Sequence, residues 1–127
     1  MIQTRFSILA EAFVRLALHD LFMAFHSLSA LTERTRKFPV RRAVPKTPAD
    51  ELVRAVDLAS CFYPKPVLCL QRSAVLIRLL RSRGIAGRMV IGTQKIPFKA
   101  HAWVEIDGRI LSDRSAERER YLVMEEC

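Results

Sequence analysis

Residues 67–84, V-L-C-L-Q-R-S-A-V-L-I-R-L-L-R-S-R-G, decide how this chain folds. No proline or glycine interrupts residues 67–83. Leu70, Ala74, Ile77 and Leu80 recur at the spacing of one helix face, so the run predicts a helix over about 69–83. Arg78, Arg81 and Arg83 fill its last turns, where cations complement the helix dipole, and Gly84 is a ready C′ residue. Pro64 and Pro66 force a turn just ahead of it. Cys69 therefore falls in the first turn, where unpaired N–H groups and partial positive charge favour a thiolate.

Downstream the pattern becomes β. Residues 88–92 read as a short strand, 93–99 as a loop around Pro97, and 100–106 alternate in polarity. Residues 109–113 can pair back on 100–106 through Asp107-Gly108, and 119–124 form a last strand. Upstream the pattern is helical. Residues 5–31 lack proline and glycine and form one long helix or two short ones. Phe6, Leu9, Phe13 and Leu16 share one side, while Leu18, Leu21, Phe22, Phe25 and Leu28 crowd another. Core packing is the weightier reading of that segment, and a docking surface for a partner the sharper one. Residues 32–48 carry three prolines and the densest basic run, Arg34, Arg36, Lys37, Arg41, Arg42 and Lys46. They read as an exposed connector. Thr47 as N-cap and Pro48 at the first helical position open a helix to about Ser60, burying Leu52, Val53, Val56 and Ala59. The fold class is α+β: N-terminal helices, then a nucleophile-bearing helix packed on a small antiparallel sheet. One domain is expected, with residues 1–47 as helical region and connector and 48–127 as its core.

Half of the 127 residues are apolar, which suits a globular chain with a core of its own. Three cysteines without framework spacing point to a reduced, cytoplasmic compartment. Glu11, Arg15, His19 and Asp20 deny residues 6–31 the apolarity of a membrane span or an export signal. The net charge of +8 calls for an acidic partner or surface without choosing one.

The chemistry rests on Cys69 and on His101, which lies 32 residues on in the alternating strand. A histidine within reach takes the thiol proton and hands it to a leaving group. A buried structural cysteine is the bland alternative for Cys69, and a zinc site of Cys61, Cys69 and His101 has poor spacing. Cys61 falls at a helix end and reads as structural, and Cys127 as terminal and mobile. His19 and His26 lie seven apart on one helix and receive no role. No Gly-rich phosphate loop is present, and neither cofactor nor metal is expected. The third member, orienting the imidazole, is Asp107 or Asp113, and hairpin register decides. A two-residue Asp-Gly turn puts His101 opposite Arg114. A three-residue loop puts it opposite Asp113 and Glu105 opposite Arg109, gaining an ion pair, and is preferred. The Cys69 backbone N–H is the natural oxyanion donor, with Gln71 or Trp103 as a second.

The segments C-L-Q-R-S-A-V-L-I-R-L-L-R-S-R-G-I-A, V-I-G and P-F-K-A-H-A-W-V-E-I-D-G-R-I-L-S-D resemble the C-terminal protease domain of lasso-peptide biosynthesis B proteins, within the transglutaminase-like, papain-related superfamily. The resemblance covers about residues 48–124. It implies a Cys-His-Asp triad on Cys69, His101 and Asp113. It implies a cysteine peptidase that removes the leader from a ribosomally made precursor peptide, after which an ATP-using cyclase closes the new N-terminus. With no leader-binding domain ahead of residue 1, the chain resembles the split form, served by a separate leader-binding protein. The apolar N-terminal helix is a docking surface for that protein or the cyclase. A transglutaminase-like acyltransferase would use the same triad. A basic nucleic-acid-binding protein would rest on charge alone, and no recognition-helix pattern supports it. Neither membrane nor nucleic acid is expected as a partner.

Overall fold

The computed structural model describes residues 2–42, 47–95, 98–106, 109–111 and 122–127. Four helices come first: α1 (Ile2–Phe25), α2 (Leu28–Lys37), α3 (Ala49–Phe62) and α4 (Cys69–Ser82). Strands β1 (Arg88–Lys95), β2 (Phe98–Ile106), β3 (Arg109–Ile110) and β4 (Leu122–Glu126) follow. They form an antiparallel sheet in the order β3-β2-β1-β4. The α+β class read from the sequence is the class observed.

Helix α4 is the hub. Ala74, Val75, Leu76, Ile77, Leu79 and Leu80 are all buried, between the helices on one side and the sheet on the other. Each fully buried leucine or isoleucine here contributes about 1.5–3 kcal/mol. The helix stops as its sequence directs. Gly84 takes φ 83°, Ile85 N–H reaches Leu80 C=O, and Gly84 N–H reaches Arg81 C=O, the paired bonds of a Schellman end. Gly87 then lets the chain pass close to α4, since a Cβ there would sit 2.9 Å from Leu80 Cδ1.

Three expectations about the helices are corrected. Residues 32–37 are helical, because Pro39 constrains only the residue before it, and α2 ends at Lys37 with Phe38 as its cap. Thr32 and Thr35 are buried on it. In α3 the cap is Pro48 itself, without a side-chain bond, and Thr47 lies outside. On α1 the fully covered seam is Ile8, Ala12 and Leu16, while Phe6 and Phe13 of the anticipated face are exposed.

Arg81 is the sequence's largest surprise. It is buried and donates to the carbonyls of Thr35, Phe38, Gly87 and Cys127. The guanidinium fork thus ties α2 to the sheet edge. Burial lowers its pKa from the ordinary arginine value. Cys127, expected to be mobile, is buried and exchanges both backbone bonds with Met89, at 2.7 and 3.1 Å.

The sheet is longer than anticipated where β1 meets β2. Pairing runs from Arg88↔Glu105 to Lys95↔Phe98, through residues assigned to a loop. At the other end Ile106 pairs with Arg109 and Glu105 with Ile110, and Leu111 N–H reaches Val104 C=O at 2.8 Å. This is the two-residue turn register, so the preferred three-residue loop is wrong. A single cross-strand ion pair, worth about 0.2–1 kcal/mol, is too small to set the register.

Candidate functional site

Cys69 is the first residue of α4. Leu68 caps the helix with extended backbone and no side-chain hydrogen bond. The first intrahelical bond is Arg72 N–H to Leu68 C=O, at 3.0 Å. The N–H groups of Cys69, Leu70 and Gln71 stand ahead of it, pointing out of the helix mouth.

Strand β2 meets this mouth through one residue. Alternate residues of an antiparallel strand turn their N–H and C=O to the same edge. Val104 C=O faces Leu111 on the β3 side, so both polar groups of Ala102 face that side too, beyond the described end of β3. Side chains of α4 bond them. Ala102 N–H donates to Cys69 Sγ at 3.5 Å, and Ser73 Oγ donates to Ala102 C=O at 3.2 Å. Cys69 and Ser73 are four residues apart, hence neighbours on one helix face. Together they clamp the backbone next to His101.

His101 is half-buried on β2, cross-strand from Gly92, which puts no side chain against it. Its ring centroid lies 6.0 Å from that of Trp103, with 30° between the planes. Trp103 is fully buried and donates its indole N–H to the buried Glu105 Oε2 at 2.7 Å. That single donor is spent, which removes Trp103 as a side-chain oxyanion donor. Gln71 fares no better: its amide nitrogen donates to Leu16 C=O of α1 at 2.9 Å, buried and turned toward the helices. The helix-mouth N–H groups remain as donors.

The turn into Cys69 is held from α1. Asp20 accepts hydrogen bonds from Tyr63 Oη and, at 2.9 Å, from Lys65 Nζ. Burial pushes the Asp20 carboxyl up, but the bonds from Tyr63 and Lys65 outweigh it and hold the group below its ordinary value. Burial and the Asp20 carboxylate push the Tyr63 phenol up to about 12, so it stays a donor at neutral pH.

Asp113 and Asp107 lie outside the described residues. With the hairpin register corrected, the pairing argument for Asp113 falls away and its assignment rests on the resemblance. Cys61 is exposed at the end of α3. Among the described residues no group of three or more His, Cys, Asp or Glu side chains is arranged to hold a metal ion. No helix among them is long and apolar enough to cross a membrane.

The structure thus places a cysteine at the mouth of the central helix, beside the strand that bears His101. The family described as the transglutaminase-like superfamily matches residues 12–126, and the chain belongs to it. Among curated proteins, the microcin J25-processing protein McjB of Escherichia coli is 40% identical over 58 residues, which is 46% of this chain. The matched stretch spans 28% of McjB's own length. No solved structure matches the chain. The likeness to lasso-peptide biosynthesis B proteins therefore stands on the match as well as on the motifs.

Proposed function

We propose that this chain is a cysteine peptidase of the cytoplasm that removes the leader from a lasso-peptide precursor. It would act with a separate leader-binding protein, ahead of an ATP-dependent cyclase. The observation that carries the reading is the Ala102 clamp, which fixes a helix-mouth cysteine against the backbone of the strand bearing His101. Family membership and the McjB match support it.

In this reading Cys69 Sγ attacks the carbonyl at the leader's end while His101 takes the thiol proton. Asp113 orients the imidazole and stabilises its charged form. The tetrahedral oxyanion is met by the helix-mouth N–H groups, chiefly that of Cys69. His101 then protonates the departing amine, which is the new N-terminus of the core peptide. The leader is left as a thioester on Cys69, and water activated by His101 hydrolyses it to a free leader carboxylate.

The same thioester could pass to an amine, as a transglutaminase-like acyltransferase would have it. Cleavage in ¹⁸O-enriched water separates the two. The peptidase reading predicts ¹⁸O in the new C-terminal carboxylate of the leader, seen by mass spectrometry, even with a primary amine present. A leader recovered only as the amide of that amine would contradict it.

A further inference from the structure

Helices α1, α2 and α4 enclose a half-open groove of about 310 Å³, away from the sheet. Its walls combine two features that rarely remain together on a free surface. The first is apolar. Leu18, Leu21 and Phe25 line it and are 51%, 60% and 78% exposed. The second is cationic. Arg15, Arg34 and Arg78 line it, and no acidic residue does.

Among the described residues no ion pair joins these cations to a carboxylate. The three helices hold three carboxylates in all: Glu11, Asp20 and Glu33. Each is engaged elsewhere, Glu11 with Arg83, Asp20 with Lys65, and Glu33 with Arg36 and Lys37. Arg34 and Arg78 turn instead to aromatic faces, lying 4.8 Å over Phe22 and 4.7 Å over Phe38. Burial, with Arg34 and Arg15 nearby, pushes the Arg78 guanidinium down to about 10. A carboxylate entering the groove would relieve that repulsion as well as gain hydrogen bonds.

We propose that this groove is a docking site for a partner-protein segment in which carboxylate side chains alternate with leucine- or phenylalanine-like ones. Charge complementarity selects the acid, and the exposed apolar wall selects its neighbours. The wall argues against nucleic acid, whose backbone would leave Leu18, Leu21 and Phe25 uncovered. The half-open shape suits a segment lying across the groove rather than a ligand enclosed in it. The inference goes beyond the peptidase reading and does not require it.

The test uses the full chain carrying Cys69→Ala, so that catalysis plays no part. Three short, blocked, fluorescein-labelled peptides are compared by anisotropy: leucine with glutamate, and the same peptide with glutamine or with lysine for glutamate. The glutamate peptide should bind at least tenfold more tightly than the glutamine one and weaken with added salt. Arg34 is exposed, so Arg34→Glu should leave the circular dichroism unchanged, lose the glutamate peptide and gain the lysine one. Arg78→Gln should weaken the glutamate peptide as well. Equal binding of glutamate and glutamine peptides would overturn the proposal. So would glutamate binding indifferent to Arg34→Glu, which would place the peptide elsewhere, such as the groove between Phe6 and Leu58. A doubled mass by light scattering that excludes the peptide would also overturn it, making a second copy the occupant.

Discussion

Ser73 bears the consequence most easily tested at the scale of one residue. It is buried, and its hydroxyl donates to the carbonyl that precedes Trp103 and follows His101. Ser73→Ala leaves that carbonyl without its buried donor, at a cost of about 1–3 kcal/mol. If the clamp sets the Cys69–His101 geometry, kcat for precursor cleavage should fall well beyond any rise in KM. A variant with normal kcat and only a lowered urea midpoint would make Ser73 purely structural. The two aspartates divide in the same way. Asp113→Asn should cut turnover by roughly 10²-fold or more, the scale of a lost acid–base partner. Asp107→Asn should be nearly silent, since Asn-Gly serves the same two-residue turn. Sequence exposed Cys69 and His101 because their residue types carry chemistry at those positions. It hid Ser73, since a mid-helix serine signals nothing by itself. It hid the buried Arg81 too, because three of its four acceptors, on Thr35, Phe38 and Cys127, come from segments distant in sequence.

At the scale of elements, the start, extent and glycine end of α4 are legible as local chemistry, while its burial on both sides, Ser73 and Arg81 included, is not. The hairpin register is not legible, because cross-strand pairs differ by only a few tenths of a kcal/mol and do not fix it by themselves. The continuation of α2 through residues 32–37 is not legible either, because a run of cations suits an exposed helix face as well as a loop. The turn before Cys69 owes its hold to Asp20, Tyr63 and Lys65, and this link should show in acid. The folded chain holds the Asp20 carboxyl below its ordinary value, so that stabilisation is complete above the unfolded carboxylate pKa of about 4. It is lost as pH falls through the lower folded value. Asp20→Asn should therefore lower the urea midpoint at neutral pH and flatten its decline between roughly pH 5 and 2. Parallel acid limbs for the parent and Asp20→Asn would show that the latch contributes nothing.

For the whole molecule, one buried cluster runs from Ile8, Ala12 and Leu16 of α1 through α4 to Met89 and Val104 of the sheet, so the N-terminal helices share the core that carries Cys69. The sequence anticipated the choice for α1 between core and docking surface. The core reading holds for a narrow seam, Ile8, Ala12 and Leu16, while Leu18, Leu21 and Phe25 stay exposed on another face. In the proposed reading, the exposed face would receive a partner that stimulates cleavage. A partner that holds the leader raises its local concentration at Cys69 to about the millimolar range, so cleavage should accelerate when that partner is added. Replacing Phe25 by Ser should reduce the stimulated rate more than the basal one. The central claim, that Cys69 is the nucleophile of a peptidase, meets its most direct test in mass spectrometry of precursor incubated with leader binder and either the parent chain or Cys69→Ala. The parent should release free leader and core peptide, while Cys69→Ala, folded by circular dichroism, should release neither. Release of both at the parent rate by Cys69→Ala would contradict it.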